Sequence, residues 1–359
     1  MALCSTVLKF DLRESIGGEG QNSTVYKAFD PQLNADLVVK KVAKQLIIDD
    51  YQSIDESNFY IESRILYECK HPNVMEIQYA SEDEESIYFS MPFCKRGSLN
   101  SIINTRYLTV KEIVKYSLEF LLGLHYIHTK GLIHFDVKPT NILIDNNNKS
   151  IITDFGLAKY TDLYGFVRPN KIYSSHKPPE GFSNSGYTNK SDIYQAGLTI
   201  YRMCNGNDKY YEEYNLWKNK GQVEEAISKG KFPDRNYYLP HIPARLRKFI
   251  NKAMNVDLDK RYDNILDMIN DISSIDKNLE WEYNKDANTH SMVWSIYNEA
   301  KTHINRIELI DKGNNTSEII GRKTRVKDSD TKNIIKWNIK SIESNKAFKQ
   351  IETFMKEYK

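Results

Sequence analysis

Cysteine is scarce in this chain: four in 359 residues, at Cys4, Cys69, Cys94 and Cys204. They are scattered, and no Cys-x-x-Cys pair occurs, so neither a zinc site nor a disulfide framework is indicated. Net charge is also low, at +2, which gives no sign of a global nucleic-acid or membrane surface. No apolar run approaches the roughly 20 residues that span a bilayer. The start, Met1 to Thr6, lacks the basic and apolar regions of a signal peptide. These absences lead to an expectation of a soluble protein in a reducing compartment, the cytoplasm, with no membrane partner. What is present in quantity is apolar and aromatic residues, 40% and 12%, ample for a large core. The length suggests two or three domains.

The most informative stretch is His134-Phe135-Asp136-Val137-Lys138-Pro139-Thr140-Asn141, followed eighteen positions after its Asp by Asp154-Phe155-Gly156. Asp136 suits acceptance of a substrate hydroxyl proton, and Lys138 suits neutralisation of a transferring phosphoryl group. Asn141 and Asp154 offer oxygen to Mg²⁺, as a hard cation requires. Alone, Asp-Phe-Gly reads equally well as a turn. Together and in this order, the two halves resemble the catalytic and metal loops of eukaryotic-like serine/threonine protein kinases. That resemblance implies an α+β, two-lobed fold with a β-rich N-lobe and a helical C-lobe. It also implies ATP and Mg²⁺, with serine and threonine hydroxyls of protein substrates as acceptors. It covers residues 8–273, with the N-lobe at about 8–91, a hinge at 92–97 and the C-lobe at 98–273.

Further residues extend the resemblance. Gly18 and Gly20 match the first two glycines of a phosphate-cradling loop, Ser23 stands at the third, and Val25 matches its valine. Taken alone, an ordinary Gly-rich hairpin reads the same. The alternation in Leu37 to Val42 reads as a strand. The resemblance makes Lys40 the phosphate lysine and turns Lys41 to the other face. Glu62, on an amphipathic stretch from Phe59 to Leu66, matches the glutamate that orients this lysine; Glu56 and Glu68 are off-motif alternatives. Met91 is implied beside the adenine, with Pro92 and Cys94 at the hinge. Proline keeps the carbonyl used there and lacks only its N–H. Leu143 is implied under the adenine ring, with His134, Leu66, Ile77 and Phe155 in a stack joining the lobes.

Ile113 to Lys130 reads as one helix, with Leu118, Leu121, Leu122 and His125 on its buried face and Gly131 as its stop. Lys177-Pro178-Pro179-Glu180 resembles the close of an activation segment. Asp192 resembles the anchor of the catalytic loop, and Arg261 the partner of Glu180. Small-molecule phosphotransferases generally lack the long segment, its Pro-Glu and the pairing arginine, so a protein substrate is favoured. Lys138 is the serine/threonine choice, while Tyr173 to His176 departs from the usual threonine pattern. Two alternatives stay open: a pseudokinase scaffold and a small-molecule phosphotransferase. The intact Lys40, Asp136, Asn141 and Asp154 weigh against the first.

Phe135 is the anomaly. The resemblance places there an arginine that binds a phosphate on the activation segment, and phenylalanine cannot do this. The expectation is activity independent of that phosphorylation, with Thr161, Tyr164, Ser174 and Ser175 as candidate self-phosphorylation sites.

Residues 274–359 fall outside the resemblance. Alternation in Leu279 to Tyr283, Ser291 to Tyr297, Ile304 to Ile310 and Ser317 to Val326 reads as strands. Asp330 to Tyr358 reads as a helix, giving a small α+β accessory domain. Arg322 to Lys327 is the one concentrated basic run. It admits an acidic or nucleic-acid partner, or simply a solvated strand edge.

Overall fold

The computed structural model describes residues 8–17, 23–51, 60–161, 165, 176–182, 186–286, 289 and 291–358, without the side chains of 48–51, 61–63 and 66. Gly18 and Gly20 therefore lie outside the described residues, as do Glu56, Tyr164, Ser174, Ser175 and the side chains of Glu62 and Leu66.

The N-lobe is an antiparallel sheet built from β1 (Asp11–Gly17), β2 (Ser23–Asp30), β3 (Ala35–Ala43), β4 (Tyr79–Glu82) and β5 (Ser86–Pro92), in the order β1-β2-β3-β5-β4. Two helices, α1 (Lys44–Tyr51) and α2 (Ile61–Glu68), lie between β3 and β4. Strand alternation divides β3 cleanly. Leu37 and Val39 pack with Ala28 on one face. Val38, on the other, joins Met75, Met91 and Cys94, on the same side as Lys40. Lys41 points away, over the Tyr88 ring.

The C-lobe begins with α3 (Leu99–Thr105) and α4 (Val110–Thr129). Thr109 and Glu112 form a reciprocal capping box at the start of α4, satisfying two otherwise orphaned donors. Gly131 follows its end at φ +73°, a conformation without penalty for glycine. The buried face of α4 is Val110, Ile113, Ser117, Phe120, Leu121, Leu124 and Ile127. Leu122, expected there, is 41% exposed. It adjoins Leu121, and consecutive residues on a helix point about 100° apart. Then come β6 (Leu132–Ile133), β7 (Ile142–Ile144), β8 (Ser150–Ile152) and β9 (Lys159–Tyr160), pairing as β6 with β9 and β7 with β8. Among the described residues the lobe is completed by α5 (Asn189–Asn205), α6 (Asn207–Asn219), α7 (Val223–Ser228), α8 (Ala244–Ala253) and α9 (Ile265–Ser273). No described helix is long and apolar enough to cross a membrane.

The remaining residues form a second antiparallel sheet of β10 (Glu282–Lys285), β11 (Met292–Tyr297), β12 (His303–Gly313), β13 (Thr316–Arg325), β14 (Thr331–Asn333) and β15 (Ile339–Glu343), followed by α10 (Ser344–Glu357). The helix expected from Asp330 thus starts fourteen residues later, at Ser344. Ile339 and Ile342 have helical spacing, but β15 pairs with β13 through a register shift: Ile319 faces Ile339 while Ser317 faces Ile342. The extra residue on β15 is a bulge, which lets an i,i+3 pair share one face of a strand.

The inner face of this sheet, with Trp294, Ile307 and Ile319, packs with Ala347, Ile351 and Phe354 of α10. It is continuous with the C-lobe core. At the junction Trp294 Nε1 donates to buried His241 Nδ1 (3.2 Å), and Tyr283 stacks on His241 and meets Tyr107 edge-on. Arg247 of α8 pairs with Glu352 of α10 at 2.7 Å. The basic run is partly neutralised from within: Arg322 pairs with Glu308 and Arg325 with Asp328, each at 2.9 Å.

Candidate active site

The loop from His134 to Asn141 hangs from one face of α5. Asp192, fully buried, accepts the backbone N–H groups of His134 and Phe135, both at 2.8 Å, and the His128 ring N–H. One turn on, Gln195 accepts from Val137 N and donates to the carbonyls of Phe135 and His176. Thr199 donates to the Val137 carbonyl at 3.3 Å. Positions 192, 195 and 199 share a stripe by helical geometry. Asp192 was legible from its motif. Gln195 and Thr199 were not, although polar residues at i+3 and i+7 from it in an apolar helix are the signal. This cradle holds Phe135 at φ +65°, which is unusual for a bulky residue.

Asp136 is 2% exposed. Its Oδ2 accepts from Lys138 Nζ (3.0 Å) and Asn141 Nδ2 (2.7 Å). Its Oδ1 is buried and has no hydrogen-bond partner. Burial raises the Asp136 pKa, and Lys138 pulls against that shift. His134 serves the backbone: Nδ1 accepts from Asp136 N and Nε2 donates to the Thr153 carbonyl. Its ring also meets Phe155 edge-on at 4.8 Å. With both nitrogens engaged, it is part of the frame.

Asp154 stands across the cleft at φ +65°, 3.1 Å from Lys40 Nζ. Lys40 holds its carboxyl below the usual carboxylate range, and the side chain remains 45% exposed to the cleft. A carboxylate on Asp154 and the amide oxygen of Asn141 are a suitable oxygen pair for Mg²⁺. Above them Val25 and Leu143 pack from opposite lobes against Val38, Met91 and Cys94, forming an apolar slot, with Pro92 exposed at the hinge. Burial, aided by Asp145, pushes the Cys94 thiol up to about 11, so it is an apolar wall. Glu68, the off-motif alternative to Glu62, is engaged by the Tyr160 hydroxyl at 2.8 Å.

Glu180 and Arg261 form a bidentate pair at 2.8 and 2.9 Å, with Ser191 donating to the same carboxylate. Both side chains are almost wholly buried. Beside this pair His176 accepts from Arg202 at 2.8 Å. Burial, then Arg202, keeps the His176 pKa well below normal, so the ring is neutral. Nothing in the sequence pattern pointed to it. Phe135 is fully buried and meets Tyr187 edge-on at 5.6 Å.

Comparison with known proteins adds the following. The protein kinase domain family matches residues 10–272. The probable serine/threonine-protein kinase PknB of Lactococcus lactis is 28% identical over 277 residues, covering 75% of this chain and 43% of that protein. Calcium/calmodulin-dependent protein kinase type 1 of Macrobrachium nipponense is 28% identical over 58% of this chain and 59% of its own length. Serine/threonine-protein kinase atg1 of Dictyostelium discoideum is 27% identical over 68% and 36%. The match therefore spans less than two thirds of each of these curated relatives.

Proposed function

The chain belongs to the protein kinase family, and from that premise we propose that it transfers the γ-phosphate of ATP to serine and threonine hydroxyls of protein substrates. The observation that carries this reading is the buried, unpartnered Oδ1 of Asp136. Its sister oxygen accepts from both Lys138 and Asn141, while Oδ1 is desolvated without a donor. An acceptor hydroxyl meets its need for a donor and is oriented by it. Lys138, 3.0 Å away, stabilises charge on the transferring group. Lys40 and the apolar slot position the nucleotide, and Asn141 and Asp154 hold the metal. Mg²⁺ bound there supplies neutralisation of the phosphate oxygens. Glu180 and Arg261 shape the acceptor side, which favours a protein over a metabolite.

Transfer proceeds without a phosphate on the activation segment. The support is Phe135, buried against Tyr187 where a phosphate-binding arginine is usual. A cytoplasmic setting is in keeping with the buried, unpaired thiols of Cys69, Cys94 and Cys204. The test is transfer of radiolabelled phosphate from ATP to a library of serine, threonine and tyrosine peptides, with Asp136→Asn as control. Label on serine and threonine, retained after phosphatase treatment of the enzyme, is expected. No transfer by the wild type would favour a scaffold, and label only on metabolites would favour a small-molecule kinase.

A further inference from the structure

We infer that Tyr160 and Glu68 form a phosphate-free latch that positions helix α2, and through it the nucleotide-binding lysine, for the reaction. The inference rests on the kinase reading above. Tyr160 lies six residues after Asp154, in β9, directly opposite Leu132 of β6. That ladder continues with Thr161 N donating to the Gly131 carbonyl at 2.9 Å. β6 leads straight into His134 and Asp136, so the backbone of Tyr160 is fixed to the entry of the catalytic loop. Its hydroxyl reaches out of the C-lobe and donates to Glu68 Oε2 at 2.8 Å. Glu68 is the last residue of α2, the helix that carries Glu62.

The same end of α2 is also held through the backbone. The linker after it is stitched to β8 by Met75 N to the Ile152 carbonyl (2.9 Å) and Ile152 N to the Asn73 carbonyl (3.0 Å). The latch is therefore a side-chain link between the C-terminal end of α2 and the start of the activation segment. Burial, then Glu68, raises the Tyr160 pKa to about 12, so the hydroxyl keeps its proton as donor. A hydrogen bond from a neutral hydroxyl to a carboxylate is charge-assisted and stronger than a neutral one. Phe135 cannot bind a phosphate, and the Tyr160 hydroxyl joins β9 to α2 without one.

The test compares Tyr160→Phe, Glu68→Ala and the double variant in the full chain. Thermal midpoints confirm folding, and two readouts follow: affinity for a non-hydrolysable ATP analogue with Mg²⁺, and kcat/KM with ATP and peptide varied separately. Each single variant is expected to lose about three- to tenfold in kcat/KM for ATP, the range for one ordinary hydrogen bond, because the Tyr160–Glu68 pair is solvent-exposed. The KM for peptide should stay unchanged, and the double variant should lose no more than either single. Losses that multiply in the double variant, or a Tyr160→Phe enzyme within 1.5-fold of wild type in both readouts, would overturn the latch and leave the kinase reading standing. A wild type that neither binds the analogue nor transfers phosphate removes both.

Discussion

In the cleft, Lys40, Asp136, Asn141, Glu180 and Arg261 are each less than a tenth exposed. In the region from residue 274 onward, the buried polar side chains among the described residues are Ser291, Asn305 and Ser317, with no charged one, while Trp281, Trp294 and Trp337 are fully enclosed. Buried charge costs free energy unless it is paired. The cleft pairs most of its charges and leaves one oxygen of Asp136 without a donor. Among the described residues of the C-terminal region, the one unpartnered buried side-chain atom is Trp337 Nε1. A buried carboxylate oxygen with no hydrogen-bond partner has an unmet need for a donor. A ring-filled interior continuous with the C-lobe marks a brace.

The sharpest way to break this contrast is to neutralise the cleft and dismantle the brace separately. Asp136→Asn should lower kcat about a thousandfold, as loss of a positioned proton acceptor does, with the thermal midpoint held. A fall of tenfold or less would show that the orphan oxygen is not used. Trp294→Ala should do the reverse on the stability axis. Removing a large buried ring costs about 3–5 kcal/mol, read from the denaturant midpoint. Because the two regions share a core, unfolding should remain a single transition; two separated transitions would make residues 274–359 an independent unit.

The junction itself has a pH signature. Burial holds His241 at about 3, against an ordinary 6.5. The unfolded chain therefore takes up a proton below about pH 6.5 that the folded chain refuses. Stability is full above that point and falls as pH drops toward 3. Between pH 7.5 and 4.5 this one residue should remove about 2–3 kcal/mol, at 1.36 kcal/mol per unit below 6.5. His241→Gln, which keeps an acceptor for Trp294, should flatten that slope; an unchanged slope would place the acid sensitivity elsewhere. The smallest effect is expected at Arg247–Glu352, a pair about one-fifth exposed. Glu352→Gln should cost about 1 kcal/mol or less, and a larger loss would mean that the brace depends on charge after all.

The grouping of Asp136, Lys138 and Asn141, and of Lys40 with Asp154, was legible from motifs, because the roles proposed for them each call for one residue type at a set spacing. After residue 274, β11 to β13 and part of β10 were legible because alternation is a local property, whereas β14 and β15 fell in the stretch expected to be helical. What stayed hidden was either ambiguous locally or joined at long range. Ile339 and Ile342 suit a helix and a bulged strand equally, and only pairing with β13 decides between them. Gln195, His176, His241 and the Tyr160–Glu68 contact acquire meaning from partners 19 to 92 residues away, which no window along the chain brings together.

Helix α5 carries a further consequence. Every residue from Ser191 to Asn205 on it is buried, so no face of it meets solvent. The amides of such an element exchange with deuterium only when the surrounding lobe opens. His134 and Phe135 donate their own amides to Asp192 on that helix. Although they belong to a loop, their protons are tied to the opening of that lobe, and Asp136 follows them directly in the chain.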